Sequence, residues 1–158
     1  MTDVAVDELR AVLDRAAIRE VMLQYAAGLD RRDFAMVRAC FTEDVSAEYS
    51  GSQLAPGVDA IIAHVRGVSA LRSTMHVVAN VVVELRGDTA SSETYTLACL
   101  ADARGGDEVI LMRGLRYRDE LVRDPERGWL IRRRVHIPEW MFNAEGLPPV
   151  LRRERFDR

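Results

Sequence analysis

The chain has 158 residues, a formal net charge of −3, 48% hydrophobic residues and 30% charged residues, which is the composition of an ordinary globular domain large enough to bury one core without disulfides. Its acidic balance argues against nucleic acid as a partner, because duplex binding depends on neutralising phosphates. All 22 basic residues other than histidine are arginine, and the absence of lysine excludes Schiff-base and pyridoxal-phosphate chemistry.

The first half of the chain has the periodicity of helices. Apolar residues recur at spacings of three and four between Leu9 and Leu29, which predicts a long amphipathic helix that starts near Asp7 and ends near Gly28. Asp33 is the expected N-cap of a second, short helix. The segments that follow are expected to be a turn at residues 42–44, a short strand at 45–49, a loop at 50–57 and a third helix at 58–66.

From residue 74 the apolar pattern changes to the alternation typical of strands. Four strands are predicted, at residues 74–85, 92–103, 108–123 and 129–140, and the short turns between them indicate an antiparallel meander. Helices followed by strands predict a single α+β domain over residues 1–158, with the helices packed on one side of a curved antiparallel sheet. Residues 141–158 are expected to form a loop or short helix that lies over the body as a tail or lid.

His76 is the first candidate for chemistry. Strand alternation places it on one face with Val78 and Asn80, whereas the opposite face, which carries Met75 and Val77, is wholly apolar and is expected to be core. A partly desolvated histidine can act as an acid or a base, because its imidazole titrates near neutral pH. The residues alone favour a core histidine bonded to a backbone carbonyl over a catalytic one.

Asp30, Tyr25 and Arg113 are further candidates. Asp30 ends the first helix, where the helix dipole disfavours a carboxylate, so either a compensating donor holds it or it is an ordinary turn residue. Tyr25 lies on the apolar stripe of the first helix and is either a core aromatic residue or a proton donor. Arg113 either binds an acidic substrate or pairs with a carboxylate, and the arginine run at residues 132–134 is interpreted as solvated salt-bridge partners.

Four segments carry a resemblance to a known family: YAAGLDRRD at residues 25–33, CFTEDV at 40–45, MHVVAN at 75–80 and GWLIRRR at 128–134. They resemble the SnoaL-like group of the nuclear-transport-factor-2-like (NTF2-like) superfamily. Within that group the chain is most similar to scytalone dehydratase, hexachlorocyclohexane dehydrochlorinase and bile-acid 7α-dehydratase. The resemblance implies a cone-shaped barrel with the N-terminal helices packed on it, a deep apolar pocket and an Asp–His dyad.

The resemblance also implies roles for individual residues. Asp30 and His76 match the dyad, and Tyr25 matches a tyrosine that serves as acid or substrate anchor. The expected substrate-binding residues are Tyr49, Asn80 and His136. Scytalone dehydratase has a second active-site histidine on the next strand, and this chain has none at residues 92–103, which leaves the substrate open.

The implied function is that of a cofactor-independent dehydratase, whose dyad deprotonates a carbon acid in an apolar pocket so that water leaves a mid-sized polyketide, steroid or aromatic metabolite. An isomerase or cyclase using the same pocket, a ligand-binding protein and the small subunit of a ring-hydroxylating oxygenase are the alternatives. Cys40 and Cys99 have no CxxC spacing, so no metal site is expected. We expect no nucleic-acid or membrane partner, a homo-oligomer (dimer or trimer) and, because the N-terminus has no signal-peptide pattern, a cytoplasmic location.

Overall fold

The computed structural model describes residues 3–104 and 107–147 and consists of helices packed on a six-stranded sheet. The helices are α1 (Asp3–Arg31), α2 (Phe34–Ala39), α3 (Val58–Val65) and a 3₁₀ helix (Arg66–Ala70). The strands are β1 (Phe41–Tyr49), β2 (Ser52–Gln53), β3 (Ser73–Arg86), β4 (Thr89–Arg104), β5 (Asp107–Asp124) and β6 (Gly128–Leu147). The predicted α+β class and the four long strands are confirmed.

The sheet is mixed, and in this respect the antiparallel prediction is wrong. Its strand order is β2-β1-β6-β5-β4-β3, and the long strands β3 to β6 form the predicted meander. Strand β1, however, runs parallel to β6, with Tyr49 opposite His136. Residues 42–44, expected to be a turn, belong to β1. Because β2 and β3 are the two edges of the sheet, it curves without closing into a barrel.

Strand β3 does not keep one face throughout its length. Its pairing with β4 shifts between Val78, opposite Thr96, and Val81, opposite Thr94, so one extra residue is inserted. A shift by one residue exchanges the two faces of a strand. Before the bulge the residues with exposed side chains are Met75 and Val77, which were predicted to be core, and His76 and Val78 point inward.

Helix α1 buries its C-terminal half and leaves its N-terminal half exposed. It begins at Asp3, before the predicted start, and Leu9, Val12 and Leu13 are at least half exposed although the spacing predicted an inward stripe. The core lies between the C-terminal half and the concave face of the sheet. Its fully buried members are Ile18, Val37, Phe41, Val45, Ile61, Leu121 and Ile131. The site described below lies beside this core, at the C-terminal end of α1.

The last strand is longer than the sequence indicated. Residues 141–147, expected to start a loop or helix, continue β6, where Met141 pairs with Arg113 and Phe142 with Met112. The remainder of the predicted lid, residues 148–158, lies outside the described residues. No helix within the described ranges is long and apolar enough to cross a membrane.

Candidate active site

Asp30 and His76 are in direct contact. Asp30 lies in the last turn of α1, and its Oδ1 is 2.7 Å from Nδ1 of His76 on β3. Its Oδ2 accepts the backbone N–H of the same His76 at 2.8 Å. The side chain of His76 is 7% exposed and that of Asp30 is 24% exposed. The donor expected to compensate for the helix dipole is therefore His76 itself, through two separate N–H groups.

The electrostatics of this pair fix which ring nitrogen carries the proton. Burial raises the pKa of the Asp30 carboxyl, but hydrogen bonds from the His76 ring, its backbone and the Thr74 hydroxyl outweigh burial and hold this pKa below its ordinary value. An ionised carboxylate can only accept hydrogen bonds, so Nδ1 of His76 must be the protonated nitrogen. In the neutral form of the ring Nε2 is the nitrogen with the lone pair, and no described residue is hydrogen-bonded to that atom.

Arg32 connects the end of α1 to the start of β3. It adopts a left-handed conformation (φ 60°), and the N–H groups of Arg32 and Asp33 bond to the carbonyls of Leu29 and Gly28, which is a Schellman cap. Its guanidinium donates to the Leu29 carbonyl at 2.9 Å and to the Thr74 hydroxyl at 2.6 Å. Since Thr74 also bonds to Asp30, this cap holds the carboxylate and the His76 strand in register.

A cavity of about 490 Å³ lies against the imidazole of His76. This volume is within the range of small-molecule sites. Its wall is mainly apolar, and its aliphatic members include Leu29, Val65, Val68, Leu71, Leu100 and Leu115. No aspartate or glutamate of the described residues lines it, because Asp30 lies behind His76. The arrangement is therefore a partly desolvated imidazole facing a hydrophobic chamber.

Three tyrosines and a histidine line the inner end of the cavity. The hydroxyl of Tyr25 is 3.0 Å from that of Tyr49, and the Tyr25 ring packs edge-on against Tyr117. Burial raises the pKa of Tyr25 and of Tyr49 well above the ordinary value, so both phenols keep their protons at neutral pH. The ring of His136 stacks on Tyr49, and its Nδ1 lies 3.2 Å from the Ser50 hydroxyl.

Beneath these rings lies an ion pair that the sequence interpretation missed. Arg134 donates to both carboxylate oxygens of Asp119, at 2.8 and 2.7 Å, and both side chains are 0% exposed. The guanidinium carbon lies 4.1 Å from the Tyr25 ring centroid and 4.2 Å from that of Tyr117. The expectation that the whole arginine run is solvated is therefore wrong for Arg134.

Pairing between β5 and β6 explains this burial. Asp119 lies opposite Arg134 and Glu120 opposite Arg133, and a register shift follows before Leu121. Arg132 and Arg133 are exposed and both pair with Glu120. The sequence indicated this ion pair through Asp119, which lies on the preceding strand at the position that faces Arg134.

The remaining predicted residues are distributed as follows. Tyr25, Tyr49 and His136 line the cavity with His76. Asn80 does not, because the β3 bulge leaves its side chain exposed and away from the cavity wall. His64, the remaining histidine of the chain, is exposed at the cavity mouth, and its ring centroid lies 4.6 Å from that of Tyr49. In the part of the chain that the structure describes, no three His, Cys, Asp or Glu side chains are arranged to hold a metal ion.

Several relatives of known sequence cover most of this chain. An uncharacterized protein of Mycobacterium tuberculosis, Rv2910c, is 30% identical over 128 residues, which are 78% of this chain and 84% of the relative. An uncharacterized protein of Mycobacterium bovis, Mb2934c, matches to the same extent.

Solved structures share the fold. An NTF2-like protein with a cystatin-like fold from Novosphingobium aromaticivorans is 26% identical, with a TM-score of 0.70 over 84% of this chain and 86% of that one. A candidate scytalone dehydratase from the same organism is 24% identical, with a TM-score of 0.70 over 90% and 91% of the two chains. The LinA-type3 hexachlorocyclohexane dehydrochlorinase of Novosphingobium barchaimii is 17% identical, with a TM-score of 0.77 over 91% and 99%.

The sequence model of the SnoaL-like domain matches residues 10–135, which include most of α1, the Asp30–His76 pair and the buried Arg134. The family implied by the sequence motifs and the fold of the neighbouring structures agree with this match. This chain belongs to the SnoaL-like domain family.

Proposed function

We propose that this chain is a cofactor-independent lyase that uses the Asp30–His76 dyad to remove a proton from carbon and expel water from an apolar, oxygenated substrate. The observation that carries the proposal is the 2.7 Å contact between Asp30 Oδ1 and His76 Nδ1 beside a hydrophobic cavity. Support also comes from dehydratase-like and dehydrochlorinase neighbours of the same fold.

In this proposal His76 is the base. Its Nε2 lone pair takes a proton from a carbon next to an activating carbonyl, and the electron pair of that C–H bond forms a C=C bond as the C–O bond at the β carbon breaks. The ionised Asp30 stabilises the imidazolium that results, as the aspartate does in the serine-protease triad. The imidazolium then releases the abstracted proton, which together with the departing hydroxide makes one water. The base is restored, and the atoms balance without a co-reactant.

Tyr25 assists the leaving group. Its phenol is buried beside the cavity and stays protonated, so it can donate a hydrogen bond to the hydroxyl that departs. Since the Tyr25 phenol has a single proton, Tyr49 donates to the Tyr25 oxygen in this arrangement and orients the Tyr25 hydroxyl. Acid–base assistance of this kind contributes about 10²–10⁴-fold to the rate, and positioning in the cavity supplies the rest.

A water-loss assay tests the proposal. β-Hydroxy ketones with an aromatic or alicyclic end, beginning with 4-hydroxy-4-phenylbutan-2-one, are incubated with the protein, and the enone is followed by absorbance and mass spectrometry. His76→Ala should lose turnover by at least 10²-fold. Met75→Ala is the matched control, because Met75 is the adjacent residue on the exposed face of β3. Equal turnover by His76→Ala and the wild type would contradict the proposal.

Deuterium exchange separates elimination from its alternatives. An isomerase begins with the same deprotonation but then returns a proton to carbon, so in D₂O its product gains deuterium. A cyclase instead forms a C–C bond at the deprotonated carbon. Only elimination lowers the product mass by one water. A ligand-binding protein or an oxygenase subunit should do neither with any substrate of the panel.

We also propose that a second copy of the chain covers the outer face of the sheet. The exposed apolar side chains there include Met75, Val77, Tyr95, Trp140 and Phe142. The indole of Trp140 lies directly on Gly114. A Cβ at position 114 would come within 2.2 Å of the indole, so the glycine leaves the space that lets it lie on the sheet. Sedimentation equilibrium should give a dimer or trimer for the wild type and a smaller species for Trp140→Glu; a monomeric wild type would contradict the proposal.

A further inference from the structure

Arg113 is the one permanently charged side chain that lines the cavity within the described residues. It lies on β5 opposite Ala98 of β4, and Ala98 lies opposite His76 of β3. The three residues therefore occupy one rung across adjacent strands and point to the same face. Strands are about 4.8 Å apart, so the Cα atoms of His76 and Arg113 are separated by roughly 10 Å. Only the methyl group of Ala98 stands between the base and the cation.

The guanidinium of Arg113 is oriented but not neutralised. Its Nη1 donates to the Met112 carbonyl at 2.9 Å and to Oδ1 of Asn143 at 2.8 Å, with a longer contact to the Phe142 carbonyl. Neither Nη2 nor Nε is hydrogen-bonded to a described residue, and no carboxylate of the described residues pairs with Arg113. Arg116, by contrast, three residues further along β5 and away from the cavity wall, is paired with Glu93 and Glu139.

We propose that Arg113 forms an anion subsite and that the substrate carries a carboxylate at the end remote from the reacting carbon; this inference rests on the proposed function of the same cavity. A guanidinium binds a carboxylate through two parallel N–H groups, and the pair is strengthened where an apolar wall excludes water. The substrate class is therefore a mid-sized apolar acid, long enough to reach Arg113 while its acidic C–H lies at His76.

Binding of a matched pair of probes tests this subsite without requiring turnover. The probes are 4-(1-naphthyl)butanoate and its neutral primary amide, which have almost the same shape, and binding is measured by calorimetry at low salt. Wild-type protein should bind the carboxylate at least tenfold more tightly than the amide, and added NaCl should reduce the difference. Arg113→Met should bind the two equally, with a circular dichroism spectrum like that of the wild type.

Two further variants complete the test. Arg116→Met, the matched control on the same strand, should retain the preference for the carboxylate. His76→Ala should also retain it, although it cannot deprotonate a substrate, so failure of the proposed lyase reaction and failure of the subsite are distinguishable. The inference is overturned if wild-type protein shows no carboxylate preference, including by failing to bind the carboxylate, or if Arg113→Met retains that preference.

Discussion

The carboxylate of Asp30 bonds to His76 twice, through the ring Nδ1 at 2.7 Å and through the backbone N–H at 2.8 Å. One side chain thus fixes both the strand position and the ring orientation of the proposed base. The backbone bond places the Cα of His76 relative to the end of α1, and the ring bond selects the tautomer with a free Nε2. Loss of either function should affect catalysis more than stability.

Asp30→Asn is expected to lower kcat/KM by about 10²–10⁴-fold while leaving the protein folded. The asparagine oxygen can accept the backbone N–H of His76, but its NH₂ group then faces Nδ1 and favours the tautomer with a proton on Nε2. That tautomer cannot act as the base. Steady-state kinetics with the elimination substrate, together with thermal unfolding, checks the prediction. A drop in activity matched by a collapse of the folded state would show a structural role instead.

His136 should make stability depend on pH between 6.5 and 4. Burial, followed by the nearby Arg134 charge, lowers the pKa of His136 from 6.5 to about 4. Between these values the unfolded chain binds more protons than the folded one, so the free energy of unfolding falls as the pH is lowered. The shift in the pKa of His136 corresponds to a change of about 3 kcal/mol at most in the free energy of unfolding. Solvent screening of this partly buried ring should reduce that change to about 1–2 kcal/mol.

The check for His136 is chemical denaturation at a series of pH values. In His136→Phe this part of the slope should disappear, because no group at that position titrates. Below pH 4 the variant should still lose stability. The reason is that the pKa of Asp30 is lowered, so protonation of this carboxylate removes its contribution to stability in that range. An unchanged slope between pH 6.5 and 4 would refute the assignment to His136.

Arg134→Met should destabilise the protein by about 3–5 kcal/mol, because it leaves the fully buried Asp119 carboxylate without its partner. Arg133→Met is the matched control: Arg133 is the preceding residue, and its pair with Glu120 is exposed, so its loss should cost less than about 1 kcal/mol. Urea denaturation measures both. Equal effects of the two substitutions would mean that burial of the Arg134 pair has no energetic consequence.

Arg32 allows backbone and side-chain effects to be separated. Arg32→Gly should relieve the left-handed backbone and Arg32→Ala should not, so the glycine variant is expected to be more stable by about 1 kcal/mol. Both variants lose the guanidinium bond to Thr74 and should therefore lose a similar factor in kcat, on the order of tenfold. If kcat instead follows stability, with the glycine variant as active as the wild type, Arg32 does not position the dyad through its side chain.

Local pattern was sufficient for much of this fold. The spacing of apolar residues located α1, α2 and α3 and the four long strands, because helical and strand periodicity depend only on neighbouring residues. The N-cap at Asp33 was also predictable, and its Oδ1 accepts the N–H of Met36 at 2.9 Å. Motif likeness brought Tyr25, Asp30 and His76 to attention, although composition and spacing alone left each with an ordinary structural explanation.

The sequence by itself therefore determined the three α-helices, the four long strands, the α+β class and the family, since these are written in periodicity and motifs. Only the tertiary structure decided which strand pairs with β1, where the bulge in β3 exchanges its faces and which arginine of the run is buried. Each of these depends on a partner distant along the chain, so no local pattern encodes it. For the same reason two further features could be read only from the assembled sheet. One is the exposure of Asn80, and the other is the position of Arg113, on the same rung as His76 and without a carboxylate partner among the described residues.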